Sequence, residues 1–344
     1  PWDCSRLMRA RVNRSQGLSL DAPEIVVKAG ETTVSQPGFL DDGSLVFAMD
    51  SPLADWSNLY RWTDGNLIQL TREAGEFGEA HWVFGQRRWA QVNEDKLVAI
   101  CTGSSGDRLL SVDLNGDLAA EPLMRAAELS QLSIAEAGAL VVVAPEDRPR
   151  HVMRVDPLSG ENAHIGSTPA PLLRHGYSKP RLLQGCSEND EVSWAYHYPP
   201  FHPDYVDLAE GLPPLVVMVH GGPTARSSSA FHPLRQYFTS LGFAVLDVNH
   251  RGSTGFGRWF RQRLLGEWGN VDLTDVIACI DALVDRDMID PEAVFIRGGS
   301  AGGYLVLRAL TCYPNRFAGG ACYYGIGNLV TLAQITHKFE SRYL

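Results

Sequence analysis

The sequence predicts two unlike halves: an all-β region of repeated antiparallel units, then a doubly wound α/β domain on a mostly parallel sheet. Three observations predict this. Short alternating segments bounded by turn residues fill residues 1–175, with no helical period among them. From residue 214 onwards, wholly apolar runs alternate with segments of three-and-four apolar spacing, the mark of buried parallel strands joined by amphipathic helices. Between the halves, Pro169-Ala170-Pro171 and Ser178-Lys179-Pro180 punctuate a linker, because proline fixes φ and disfavours helix in the residue before it.

In the first half the strand-like segments are 43–48, 58–62, 96–100, 108–112, 139–143 and 151–155. The pattern of turn and strand recurs every ~40 to 50 residues, near the size of a four-stranded propeller blade. Three blades are legible, with the tail of a fourth at Trp2 to Val12. A closed propeller takes about four to eight blades, so this is a partial β-propeller. Trp56, Trp62, Trp82 and Trp89 are expected to pack within the blades.

The second half opens with two strands at 181–185 and 192–198. Pro214 to Val219 is a third, fully apolar, and runs into His220-Gly221-Gly222-Pro223, where a glycine pair frees backbone amides to face a ligand. A helix follows with Phe231, Leu234, Phe238 and Leu241, then a strand at 243–248 and a glycine-rich loop at 249–257. The next helix carries Leu273, Val276, Ile277, Ile280 and Val284 on one face. A strand at 293–297 then enters Gly298-Gly299-Ser300-Ala301-Gly302, before a helix at 304–310 and a strand at 318–324.

A Gly-x-Ser-x-Gly run between a strand and a helix is how an α/β-hydrolase mounts a serine nucleophile. The glycines are needed because the turn holds Ser300 in strained backbone angles, with neighbours too close for a Cβ. That geometry lifts the hydroxyl above the sheet and aims the amide of Ala301 at the space where an oxyanion would form; the loop at Gly222, or less favourably Gly221, supplies a second donor. Such a site takes its partners in the chain order serine, acid, histidine. After Ser300 there is no aspartate, and the one histidine, His337, precedes the one acid, Glu340, only three residues away, a spacing that suits a surface pair. The sequence therefore expects the acid and histidine to lie beyond Leu344, at both ends a portion of a longer protein, and expects these 344 residues alone to be close to inactive.

Taken together, His220-Gly221-Gly222-Pro223, Asn249 to Gly257, Trp268-Gly269 with Asp272 and Asp275, and Gly299-Ser300-Ala301-Gly302-Gly303-Tyr304 resemble the prolyl oligopeptidase family of serine peptidases. Within it they are most similar to the acylaminoacyl-peptidase and bacterial dipeptidyl-aminopeptidase branch, and 336–344 resembles a further segment of that branch. His250 departs from the pattern, which more often has tyrosine there. The resemblance implies a β-propeller (residues 1–175) followed by an α/β-hydrolase catalytic domain (residues 176–344), both partial in this chain. It implies that Ile326, Leu329 and Leu332 line the pocket for the residue before the scissile bond, with ordinary core packing an equal reading. It also implies short peptides as substrates, cleaved from the N-terminus.

Composition fits a globular, cytoplasmic enzyme. The net charge of -10 with no dense Lys/Arg cluster argues against nucleic-acid and anionic-membrane partners. No apolar stretch reaches ~18 residues. The six cysteines are scattered, so free thiols in a reducing compartment are expected, with no metal and no cofactor. Oligomeric state is open, a homo-oligomer included. Several residues have plain structural uses: His220 positions the donor loop, Arg251 pairs with Asp272 or Asp275, and Tyr304 packs in the core. Two other functions use the same residues: an esterase or lipase on the same sheet, and a non-catalytic scaffold presenting the β-region.

Overall fold

The computed structural model describes residues 4–336 apart from 15–16, 29, 31, 52, 81, 84, 119, 167–175, 188–190 and 205–210. Trp2, the linker prolines 169–171, and His337 to Leu344 with Glu340 lie outside the described residues.

Residues 34–164 form three four-stranded antiparallel sheets, each a meander of sequence-consecutive strands. The first holds Val34–Phe39, Leu45–Ser51, Ala54–Thr63 and Asn66–Gln69; the second Trp89–Gln91, Lys96–Gly103, Gly106–Asp113 and Ala120–Ala126; the third Glu128–Ala135, Gly138–Ala144, His151–Val155 and Asn162–His164. All six segments expected as strands fall on the central strands of these sheets, with Gly43 and Ser44 just ahead of the first. The sheets pack face to face. Val46, Ala48 and Leu59 of the first meet Leu97, Ala99, Leu110 and Val112 of the second, while Val98, Ile100 and Leu109 meet Val141, Val143 and Val155 of the third. The central strands of the second sheet are thus covered on both sides, as the buried run from Leu97 to Thr102 in Lys96–Gly103 illustrates. The first and third sheets share a bulge in their opening strand, with Gln36 and Gln131 both at φ 55°. Before the first sheet, Leu7–Arg9 pairs with Glu24–Val27 as a separate two-stranded piece.

Trp62 and Trp89 are buried within this region, as expected. Trp82 is different: its indole Nε1 donates to the Thr224 carbonyl at 3.0 Å, so it joins the β-region to the second half rather than packing inside a sheet.

The second half is one six-stranded sheet in the order Arg181–Cys186, Val192–Tyr198, Ala244–Asn249, Leu215–Val219, Val294–Gly299, Gly319–Tyr323. The last four run parallel, and Val192–Tyr198 is antiparallel to both of its neighbours. Residue parity shows the double winding. Val216 and Met218 face Leu234 and Phe238 of helix Pro233–Ser240, while Leu215, Val217 and Val219 face Leu273, Val276, Ile280 and Val306 of helices Val271–Val284 and Ala301–Cys312. Ile280 has no exposed surface at the centre of this second layer. Ile280→Ala should cost about 3 kcal/mol, read as a lower urea midpoint at unchanged slope; a shift below about 1 kcal/mol would mean that the layer collapses to fill the gap. Among the described residues no helix is long and apolar enough to cross a membrane, and all six cysteines are free.

Candidate active site

Strands Leu215–Val219 and Val294–Gly299 run parallel with Val219 opposite Gly298, so the loops leaving their C-terminal ends emerge side by side. One contains Ser300. Its backbone sits at φ 54°, ψ -120°, a conformation that costs about 1–3 kcal/mol for a residue with a side chain and persists only where the surroundings impose it. Those surroundings are backbone. A Cβ on Gly298 would lie 2.5 Å from the Gly302 carbonyl oxygen, and one on Gly302 would lie 2.8 Å from the His220 carbonyl oxygen and closer still to that of Val219. The Ser300 amide donates to the Tyr323 carbonyl at 3.1 Å and its carbonyl accepts from Tyr304 at 3.0 Å, so both main-chain groups are used. The side chain is exposed and its hydroxyl makes no hydrogen bond among the described residues.

The facing loop begins at His220. A Cβ on Gly221 would stand 3.3 Å from the Gly299 carbonyl oxygen and 3.6 Å from the Ser300 Cβ, which places this loop directly over the serine. Gly222 has φ 126°, and a Cβ there would meet the Thr224 nitrogen at 2.6 Å, so glycine is required. Among the described residues the amides of Gly221, Gly222 and Ala301 have no acceptor. Ala301 opens its helix, whose first amides lack intrahelical partners and carry the positive end of the dipole. Two loops thus present unused N–H groups around one exposed hydroxyl.

His220 is a strut. Its Nδ1 donates to the Gly221 carbonyl at 2.8 Å and its Nε2 accepts from the Ser253 hydroxyl at 2.8 Å, while its ring stacks on His250 at 4.6 Å. Burial, with His250 beside it, pushes its pKa down to about 3, so the ring stays neutral. His250 donates from Nδ1 to the Arg251 carbonyl at 2.7 Å, and burial pushes it down to about 4. Both nitrogens of His220 are thus engaged, and neither ring bonds the Ser300 hydroxyl among the described residues.

Arg251 pairs with Asp275, which takes its amide at 2.6 Å and its guanidinium at 2.8 Å, tying the glycine-rich loop to helix Val271–Val284. Asp272 does something else. Its Oδ1 accepts from the Gly269 and Leu273 amides at 2.7 and 3.1 Å, and its Oδ2 is buried with no partner. Burial pushes this carboxyl up to about 7, against about 3.9 when unfolded. The fold therefore favours the protonated form, and the stability it contributes is complete below about pH 4 and lost as the pH rises through about 7. Asp272→Asn keeps the Oδ1 acceptor and removes the ionisable oxygen. It should be stabilised relative to the wild type more at pH 8 than at pH 5, read from urea midpoints; a difference independent of pH contradicts this. Tyr304 is only half-buried, edge-on to Trp268 at 5.5 Å, and so belongs to the rim of the core.

Ile326, Leu329 and Leu332 are half-buried, the last two on the short helix Leu329–Ile335. They do not line the cleft of about 230 Å³ that opens between the β-region and the donor loop, whose walls include Glu79, Arg88, Asp107, Glu128, Thr224 and Arg226. The sequence reading missed the residues that reach across this boundary. Glu76 accepts from the Gly255 and Gly257 amides, Asp107 pairs with Arg226, and Asp50 pairs with Arg258 and Arg261. Partners here are 119 to 211 residues apart, so no local pattern could reveal them.

A doubly wound sheet carrying a serine on a forced bend, opposite amides without acceptors, defines the second half as a domain of the α/β-hydrolase class. Residues 229–344 match the model of the prolyl oligopeptidase family, the family that the motifs resemble. Dipeptidyl peptidase family member 6 of Caenorhabditis elegans is 41% identical over 120 residues, 35% of this chain and 16% of that protein. Dipeptidyl aminopeptidase BIII of Pseudoxanthomonas mexicana is 44% identical over 119 residues, 35% of this chain and 17% of that protein. The solved structure of a Mycobacterium tuberculosis puromycin-hydrolysing peptidase superposes with a TM-score of 0.90 at 34% identity, over 99% of this chain and 52% of its own. This chain therefore spans about half the length of that relative.

Proposed function

We propose that this chain is part of a serine peptidase that cleaves short peptides and aminoacyl amides through an acyl-enzyme on Ser300. One observation carries the reading: an exposed hydroxyl on a backbone conformation that the fold forces, beneath a loop whose amides are unused. Ser300 Oγ attacks the substrate carbonyl carbon, and its proton passes to a histidine outside these residues. The amides of Ala301 and Gly222, or Gly221 in its stead, hold the oxyanion. The C–N bond breaks as the amine leaves with the proton from the imidazolium, and water then releases the acyl group by the same route in reverse.

In this reading residues 1–175 are a partial β-propeller and residues 176–344 a partial catalytic domain. The three meander sheets supply blades that stand over the site and exclude folded proteins. Ile326, Leu329 and Leu332 line the pocket for the residue before the scissile bond.

The puromycin-hydrolysing relative makes an aminoacyl amide the first substrate to try. An esterase would use the same serine and the same donors, so parallel assays separate the two. Aminoacyl anilides, puromycin and p-nitrophenyl esters are offered to the protein expressed from its complete gene. Turnover of the amides supports the peptidase; turnover of the esters alone assigns an esterase, and turnover of none favours the scaffold.

A further inference from the structure

We infer that Asp107 is a positioning residue for the oxyanion loop, acting through Arg226, so that the β-region sets the geometry of the site as well as covering it. The inference rests on the peptidase reading for its kinetic consequence and on geometry for the rest. Between His220 and Phe231 the donor loop has no regular secondary structure. Its own domain ties it to the glycine-rich loop through His220 to Ser253 and through the Thr254 amide to the Ala225 carbonyl at 2.9 Å. Farther along, Asn249 and Asp247 hold Ser227, and Arg235 donates to the Ser228 and Ala230 carbonyls; at Thr224 and Arg226, next to Gly222, the ties come from the first half of the chain. Arg226, four residues beyond Gly222, donates to Asp107 Oδ1 at 2.7 Å, and Trp82 holds the Thr224 carbonyl on the other side.

Asp107 is built to hold one direction. Its side chain has no exposed surface. Oδ1 also accepts from the Thr102 hydroxyl at 2.7 Å, and Oδ2 accepts from the Leu129 amide at 2.8 Å and from Arg88 at 3.4 Å. Three donors from the β-region fix the carboxylate, and the fourth is the donor loop's own arginine. A carboxylate with every lone pair engaged cannot rotate without breaking a buried bond. The glycine-rich loop on which the donor loop rests is held in the same manner, by the fully buried Glu76 carboxylate on the Gly255 and Gly257 amides at 3.0 and 3.2 Å. Both loops that border the site are thus also held by buried carboxylates in the first half.

Loss of such a tie loosens the Gly222 amide without removing it, so transition-state stabilisation suffers while ground-state binding does not. Arg226→Gln and Asp107→Asn should each lower kcat about tenfold or more with KM within about twofold, and the double variant should be no worse than either alone. In the same proteins, amide hydrogen exchange in residues 220–228 should quicken while that of strand Val294–Gly299 is unchanged. Exchange needs no activity, so it reads the tie even if the wild type cleaves no amide, an outcome that would remove the peptidase reading alone. Arg226 lies at the cleft wall, and its glutamine variant tests the inference if Asp107→Asn does not fold. Unchanged exchange in Arg226→Gln overturns the proposal, as does a rise in KM at constant kcat, or losses that add in the double variant.

Discussion

Ser300→Ala should lower turnover by about 10⁶-fold while leaving thermal unfolding within about a degree of the wild type. The size follows from what the residue does. Removing a nucleophile from a serine–histidine–acid site abolishes the covalent route entirely, and what survives comes from the oxyanion donors and from binding. Stability is spared because the Ser300 hydroxyl makes no hydrogen bond among the described residues and the amide and carbonyl that hold the bend are main-chain groups. A loss of less than about a hundredfold would show that another group performs the attack.

Gly302→Ala should have the largest effect on folding of any single methyl group in the domain. The added Cβ would press on the carbonyl oxygens of Val219 and His220, and both belong to the backbone at the end of a fully buried strand. No side chain is there to swing aside, so the elbow helix must shift off the sheet or the strand must break its register. A cost of about 3 kcal/mol or more is expected, at the upper end of overpacking effects, together with loss of any reactivity at Ser300. Gly327→Ala is the control, since a Cβ there meets nothing within 4 Å; it should change stability by no more than about 0.5 kcal/mol. Equal stability of the two variants would mean that the close approach at Gly302 is not what shapes the bend.

The most buried central strands were legible because burial on both faces writes an unbroken apolar run, as in Leu215–Val219 and from Leu97 to Cys101. The outer strands were not. Asn66–Gln69 and Asn162–His164 are short and exposed, so nothing in their composition separates them from loops. Opening strands were hidden for another reason: the bulges at Gln36 and Gln131 interrupt the alternation on which a strand is read.

At the elbow the sequence expects strand to Arg297 and helix from Tyr304, whereas the strand runs to Gly299 and the helix starts at Ala301. Glycine has low intrinsic preference for either state. Tertiary contact overrides that preference here, through pairing of Gly298 and Gly299 with Cys322 and Tyr323 and through packing of Gly302 on Val219. The alternative left open for Arg251 is decided by reach, with Asp275 taking the guanidinium and Asp272 turned to the Gly269 amide. The roles of Glu76 and Asp107 were invisible because their partners in the second half lie more than a hundred residues away and only the folded chain brings them together.

The most direct test is covalent. The protein expressed from its complete gene is treated with a fluorophosphonate, digested, and the modified peptide identified by mass spectrometry. The account predicts one adduct, on Ser300, absent in Ser300→Ala. An unlabelled Ser300 in the folded protein, or an adduct on a different serine, would contradict it.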